Sequence, residues 1–376
     1  MSIIIKEVTT PKELKQFVKF NIELYKNHPY HVPGIIEEEI TTLSKDKNPA
    51  FDFCESKYFL AYKDGKIVGR IAAIINHKTN EIWKQSHGRF GFIDFIDDLE
   101  VSGALLKAAE EWIKSKDLDA IHGPMGFTDL DHEGMLIEGF DQLGTMATIY
   151  NHPYYPQHLE KHGYIKDQDW HEFKIYIPEA IPDKHKRISE IVMKKYGLII
   201  KKFKKTKDVW PYAQKIFDLL NTAYSQLYGY SPLSQKQIEY YIKMYIPMLR
   251  YDIVTLIVRE EDDEVIGVGV TIPNLSKALQ KAKGKLFPFG FIHLLKALYG
   301  KNKVVDLLLI GVHPEYQNKG VNALLFYDLI PAFRKNGYEY AESNPELESN
   351  DKVQAQWDYF RKEQHKARRA FIKNLK

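Results

Sequence analysis

At 376 residues, with 44% hydrophobic and 27% charged side chains, the chain is long enough for two globular domains with sizeable cores. Its net charge of +3 is too small to argue for nucleic acid. A single cysteine, Cys54, excludes an internal disulfide and points to a reducing, cytoplasmic setting. The apolar run Ile3–Ile5 is too short for a signal peptide, and the most apolar stretch, 286–299, is too short to span a membrane and contains His293 and Lys296.

Taken in chain order, 3–8 reads as a short strand and 11–26 as an amphipathic helix. Residues 58–62 and 67–75 form a hairpin pattern around Lys63-Asp-Gly-Lys66. A strand at 91–96, a helix at 102–115 and a strand at 120–122 follow. The stretch 151–177 carries Asn151, Tyr155 and Gly163-Tyr164 before a strand at 172–176. Pro178 and Pro182 then interrupt the pattern, and a charged helix over 183–195 leads on. From there the order recurs, offset by roughly 200 residues: a strand at 198–203, a helix within 208–227, a hairpin of 254–258 and 265–272, a strand at 304–312, a helix at 322–335 and a strand at 338–342. Asn350, Tyr359 and 369–372 mirror the end of the first copy. The duplication predicts an α/β fold of two tandem modules, 1–180 and 181–376, each a mostly antiparallel mixed sheet flanked by helices.

The segment Leu307-Leu-Leu-Ile-Gly-Val-His-Pro-Glu-Tyr-Gln-Asn-Lys-Gly-Val-Asn-Ala-Leu-Leu325 reads as a buried strand, a polar glycine-containing turn and a helix. The first turn of a helix leaves N–H donors unpaired, and the positive end of the helix dipole adds to them, so such a turn suits a pyrophosphate. Gly320 would let the backbone approach phosphates closely, with Gln317 and Lys319 as added donors. Gln317-Asn318-Lys319-Gly320-Val321-Asn322 resembles the acyl-CoA signature of the GNAT acyltransferase superfamily, Gln/Arg-x-x-Gly-x-Gly/Ala, with Asn322 departing from it. The element order of both halves is similar to that family, so the resemblance covers most of the chain and implies a two-module GNAT-like protein. It further implies that acetyl-CoA or another acyl-CoA binds the second module, that Ile310, Gly311 and Val312 pair with pantetheine in a gap between strands, and that Asn350 belongs to the cofactor site. Asp306, eleven residues before Gln317, matches a carboxylate position of some family members, and Tyr359 matches a Tyr that protonates the leaving thiolate. Both residue types also serve ordinary structural roles at such places.

The first copy differs where it matters. Its equivalent turn, Asp97-Asp98-Leu-Glu-Val-Ser-Gly103, sets three carboxylates at a helix N-terminus, which stabilise the helix but would repel a pyrophosphate with no basic residue to compensate, so this half is expected not to bind CoA. Asp129-Leu-Asp-His-Glu-Gly134 resembles the start of a calcium loop, but Phe140 stands where the closing Glu belongs. It reads as an exposed acidic loop or as a grip for a cationic acceptor amine. His158 and His162 share a helix face and read as surface residues, so no metal site is expected. The lysine-flanked segment 277–303 reads as a packed insertion with solvated lysines, and is also compatible with peripheral contact to an anionic membrane or with gripping a long acyl chain. The expected activity is acyl-CoA-dependent transfer to a small-molecule or lipid amine by direct attack. The alternatives are a non-catalytic module pair that binds CoA or a metabolite, and transfer of a long acyl chain to a lipid amine at the membrane surface.

Overall fold

The computed structural model describes residues 2–376, apart from the side chain of Lys352. The first repeat runs β1 (Ile4–Glu7), α1 (Pro11–Leu24), α2 (Ile36–Leu43), β2 (Cys54–Lys63), β3 (Lys66–Asn76), α3 (His77–Trp83), β4 (His87–Phe95), α4 (Leu99–Lys114), β5 (Ala120–Gly123), β6 (Met135–Glu138), α5 (Tyr154–Lys161) and β7 (Ile165–Tyr176). The second runs α6 (Asp183–Tyr196), β8 (Leu198–Lys201), α7 (Ala213–Ala223), α8 (Gln235–Tyr245), β9 (Val254–Arg259), β10 (Val265–Pro273), α9 (Ser276–Ala282), α10 (Gly290–Tyr299), β11 (Val304–Val312), α11 (Asn322–Asn336), β12 (Tyr340–Ser343), β13 (Glu346–Leu347), α12 (Asp351–Gln354) and β14 (Lys362–Asn374).

Local chemistry sets several of these boundaries. Thr10 and Glu13 close a reciprocal capping box that starts α1, with Pro11 in its first turn. Asp64 and Gly65 both take positive φ, which makes the two-residue turn that joins β2 to β3 and leaves Lys63 opposite Lys66. Gly197, at φ +58°, ends α6 in the left-handed conformation.

The chain folds as two compact units. The first extends to His171 and takes in 276–294 and 365–376; the second holds 172–275 and 295–364. Relative to the expected modules 1–180 and 181–376, two later segments of the chain therefore pack with the first repeat. In the first unit the strand order is β1-β2-β3-β4-β5-β14. The β1–β4 pairs are antiparallel, β4 and β5 are parallel, and β14 runs antiparallel to β5 with Phe371 opposite Gly123. In the second unit the order is β8-β9-β10-β11-β12-β7, with the same sequence of antiparallel pairs, one parallel pair and a final antiparallel one. Each sheet thus ends on the last strand of the other repeat.

Alternation along β3 fixes the first unit's two packed faces. Ile71, Ala73 and Ile75 point to α4 and α5 residues such as Leu105 and Leu159, while Ala72 and Ile74 meet Phe17 and Val18 of α1. In the second unit, Leu324 and Leu325 of α11 pack on Ile257 and Ile266, and Phe326 and Leu329 pack with Val305, Leu307 and Trp357. That packing fixes α11 against the strand that leads into it. Several short elements, namely α2, α3, α8, α9, β6 and β13, have no counterpart in the sequence reading.

Candidate functional site

β11 pairs along β10 from Val305 to Val312. Its parallel register with β12 is shorter, running from Val304 opposite Tyr340 to Leu307 opposite Ser343. The strands part beyond that point, so 308–312 offer a backbone edge with no strand in register beside it among the described residues. A bulge sits at the parting, because Val270 faces Leu309 and Thr271 faces Leu307, leaving Leu308 as the extra residue. Asn344 donates to the Leu308 carbonyl at 2.7 Å and Tyr224 donates to the Ile310 carbonyl at 2.8 Å. Burial pushes the Tyr224 hydroxyl up to about 12, so it stays a donor. The Ile310 carbonyl, expected to meet pantetheine, therefore already has one donor of the chain's own and keeps a second lone pair.

From Val312 the chain enters a single turn at Pro314–Tyr316 and then the signature. Asn318 at φ +60° and Gly320 at φ +83° bend it, and Val321 is fully buried against α6. No side chain caps α11. Among the described residues, the amides of Asn318, Gly320, Val321 and Asn322 have no hydrogen-bond partner, whereas Lys319 N–H donates to Tyr316 and Ala323 N–H to Gly320. Gln317 is exposed, its Nε2 donating to the Val312 carbonyl at 3.2 Å. The Lys319 ammonium lies 5.5 Å from the Tyr196 ring and 5.3 Å from the Tyr316 ring. Asn322 is half-buried and reaches Gln356 at 3.5 Å.

Gly320 has a packing reason to be glycine in addition to the close backbone approach expected from the sequence. A Cβ there would lie 2.8 Å from Ile188 and 3.3 Å from Val192, both on α6, so the missing side chain makes room for a helix. Asn350 caps α12, its side chain accepting from Val353 N–H at 3.4 Å.

Asp306 is buried in the paired part of β11, before the strands part, and accepts from Asn274 at 2.8 Å. Tyr359 closes a short 3-10 helix, Ala355–Tyr359, is 48% exposed, and its hydroxyl accepts from Lys184 of α6. One carboxylate missed by sequence reasoning lies three residues past the end of β12. Glu346 accepts from the indole N–H of buried Trp357 at 2.8 Å and has the Ser343 side chain beside it, while its second oxygen is out of solvent and makes no hydrogen bond of good geometry. Burial pushes its carboxyl up to about 7, against the hydrogen bonds that would lower it. Its only sequence signal is position, just after a strand whose neighbour carries the signature.

Residues 213–356 match the acetyltransferase (GNAT) family profile. This segment is a GNAT-family domain. Over almost its whole length the chain also resembles the bacterial ceramide synthase of Caulobacter vibrioides, at 29% identity over 352 residues, 91% of this chain and 90% of that protein. Protein YghO of Escherichia coli is 29% identical over 333 residues, 88% of this chain and 84% of the other. Among solved structures, a tandem GNAT protein from the clavulanic acid biosynthesis pathway superposes with a TM-score of 0.56 at 11% identity, covering 100% of this chain and 99% of the other. The mixed α/β architecture is therefore that of tandem GNAT proteins.

Within the first unit, the turn equivalent to the GNAT signature is filled from inside. Asp98 caps α4 through Glu100 N–H at 2.9 Å and pairs with Lys63 at 2.7 Å. Asp97 pairs with His158 at 3.0 Å. Lys63 thus corrects the expectation that no basic residue compensates at this turn; it stands 35 residues from Asp98 in sequence and is brought there by the fold. His158 is buried rather than exposed, stacked on Phe95, and both it and His162 hydrogen-bond to Ser102 of α4, at 2.9 and 3.0 Å. The acidic segment 129–133, expected to be an exposed loop, is half-buried apart from exposed His132. Both Asp129 carboxyl oxygens are out of water and unpartnered, and Asp131 accepts from Thr128 N–H at 3.0 Å. Burial pushes Asp129 up to about 7, with Arg89 opposing the shift and Asp131 reinforcing it.

Proposed function

We propose that this protein transfers a fatty acyl group from acyl-CoA to the amino group of a long-chain amine. The observation that carries the reading is the turn at 317–322, where four unpartnered amides at the uncapped start of α11 adjoin the free edge of β11. Those donors, with Lys319 beside them and no carboxylate within the turn, fit a pyrophosphate. The open edge over 308–312, with Gly311 and Val312 on it, fits an amide-bearing arm lying along the strand. Asn322 adds a neutral carboxamide donor at the first helical position, so it does not repel an anion. The acyl chain length and the lipid character of the acceptor are supported by the relative named as a ceramide synthase, since a ceramide is a fatty acid joined in amide linkage to a long-chain amino alcohol.

Acyl-CoA supplies a thioester carbonyl open to attack. The remaining requirement falls on the chain, because an amine attacks only after losing a proton. We assign that proton to Glu346, whose second oxygen can take it and whose carboxyl, at about 7, is poised near neutral pH. Asp306 is the second candidate, already engaged by Asn274. Tyr359 remains the candidate donor to the leaving thiolate.

Titration calorimetry with acetyl-CoA and palmitoyl-CoA, followed by mass spectrometry of products from a panel of short and long-chain amines, tests the proposal. Tighter binding of palmitoyl-CoA and an N-acylated long-chain amine are expected. Binding of neither thioester removes the reading. Binding without transfer to any amine favours the non-catalytic alternative.

A further inference from the structure

The arm 277–292 of the first unit has an anchored base and a bare tip. At its base, Ser276, Ala278, Leu279 and Ala282 of α9 are buried, and Gln280 donates to the carbonyls of Pro29 and His31 at 2.9 Å each. Ile36 N–H donates to the Gly284 carbonyl at 2.9 Å, and Gly284 at φ +75° presses so close to Ile22 that a Cβ would lie 2.4 Å from it. The tip is an ordered turn, held by Phe291 N–H to Leu286 at 2.8 Å and Ile292 N–H to Phe289 at 3.1 Å. Yet it turns its apolar side chains outward: Phe287 is 77% exposed, Phe289 69%, Phe291 38% and Ile292 37%. Lys277, Lys281, Lys283 and Lys285 of the same arm are exposed, none makes an ion pair among the described residues, and 277–292 contains no Asp or Glu. The expected packed insertion with solvated lysines describes α9 and leaves the aromatic tip unexplained.

We infer that this arm docks the protein on an anionic phospholipid surface, with the Phe287–Ile292 tip among the acyl chains and the four lysines against lipid headgroups. Exposed aromatic rings on an arm rich in lysine suit the membrane–water boundary, and lysines next to anionic lipid add about fivefold each to partition. A second copy of the chain is a poorer occupant, because a symmetric contact through this patch would set lysine clusters against each other. No described helix is long and apolar enough to cross a membrane, so the contact is peripheral. The inference does not rest on acyl transfer, since partition is measured without acyl donor, but it would bring the protein to where a long-chain amine resides.

The test is co-sedimentation of the full chain with vesicles of phosphatidylglycerol and phosphatidylcholine, compared with pure phosphatidylcholine, at low and high salt. Binding to the anionic vesicles alone, weakened by salt, is expected. The F287S/F289S double variant should partition on the order of tenfold less, and K281Q/K283Q/K285Q should lose binding chiefly at low salt. A third variant, Phe287→Cys, carries an environment-sensitive fluorophore, and Cys54 is buried and spared from labelling. Its emission should rise and shift to the blue on anionic vesicles. Wild-type protein left in solution, unchanged emission, or equal binding by the double variant overturns the inference. So does a concentration-dependent dimer that F287S/F289S abolishes, which would make the patch a self-contact.

Discussion

At the scale of single residues, two carboxyls near pH 7 should answer mutation differently. Glu346 must be ionised to take a proton from an amine, so activity should rise through about pH 7, and Glu346→Gln should lower kcat by roughly 10²–10⁴-fold while leaving CoA affinity intact. If Asp306→Asn rather than Glu346→Gln flattens the pH–rate profile, the proton-acceptor assignment moves to β11. For Asp129 the expected effect is on stability. Its pKa is raised on folding, so between about 4 and about 7 the folded state holds a proton that the unfolded state releases, and stability falls as pH rises through that window. Asp129→Asn should therefore raise Tm by roughly 3–6 °C at pH 8 and much less near pH 5, read by thermal melts at both pH values. Gln317 to Asn322 could be read from sequence because an exposed turn before a helix is encoded locally. Glu346 could not, since its environment is made by Trp357, eleven residues away and brought back by the fold.

At the scale of elements, the signature turn and its sister make opposite predictions. Gly320→Ala combines a strained φ with a clash against Ile188, so it should cost about 1–2 kcal/mol of stability and is a poor probe of binding. Asn318→Asp tolerates the same left-handed backbone and sets a negative charge among the free amides, so CoA affinity should fall on the order of tenfold with Tm unchanged. Asp98→Ala removes the α4 cap and should cost about 1 kcal/mol without altering CoA affinity. Calorimetry and melts on the same three variants separate the two effects. Hairpins such as 58–75 were legible because Asp-Gly dictates its own turn. The inward turn of Asp129 and the burial of His158 were not, because helix-face spacing and loop composition do not say which neighbour covers a face.

At the scale of the whole molecule, the repeat order was legible, since six elements recur in the same succession, but the pairing of the closing strands was not. A strand's pattern says which face is buried and nothing about which edge it joins. β14 is held in the first unit by buried Arg368 and by the Arg369–Asp169 and Lys373–Glu110 pairs, at 2.7 and 2.9 Å. Fragments 1–180 and 181–376 should consequently be unfolded or aggregated when expressed alone and should form a stable complex when co-expressed, as gel filtration would reveal. Two well-folded separate fragments would refute that view. The same arrangement bears on how the protein is made. A ribosome adding roughly 5–20 residues per second needs about 10–40 s to go from the end of the first repeat to the strand that completes its sheet. Throughout that interval the β5 edge stands open as a template for any passing strand, so the nascent chain should depend on chaperones for longer than its early, near-complete first half would suggest.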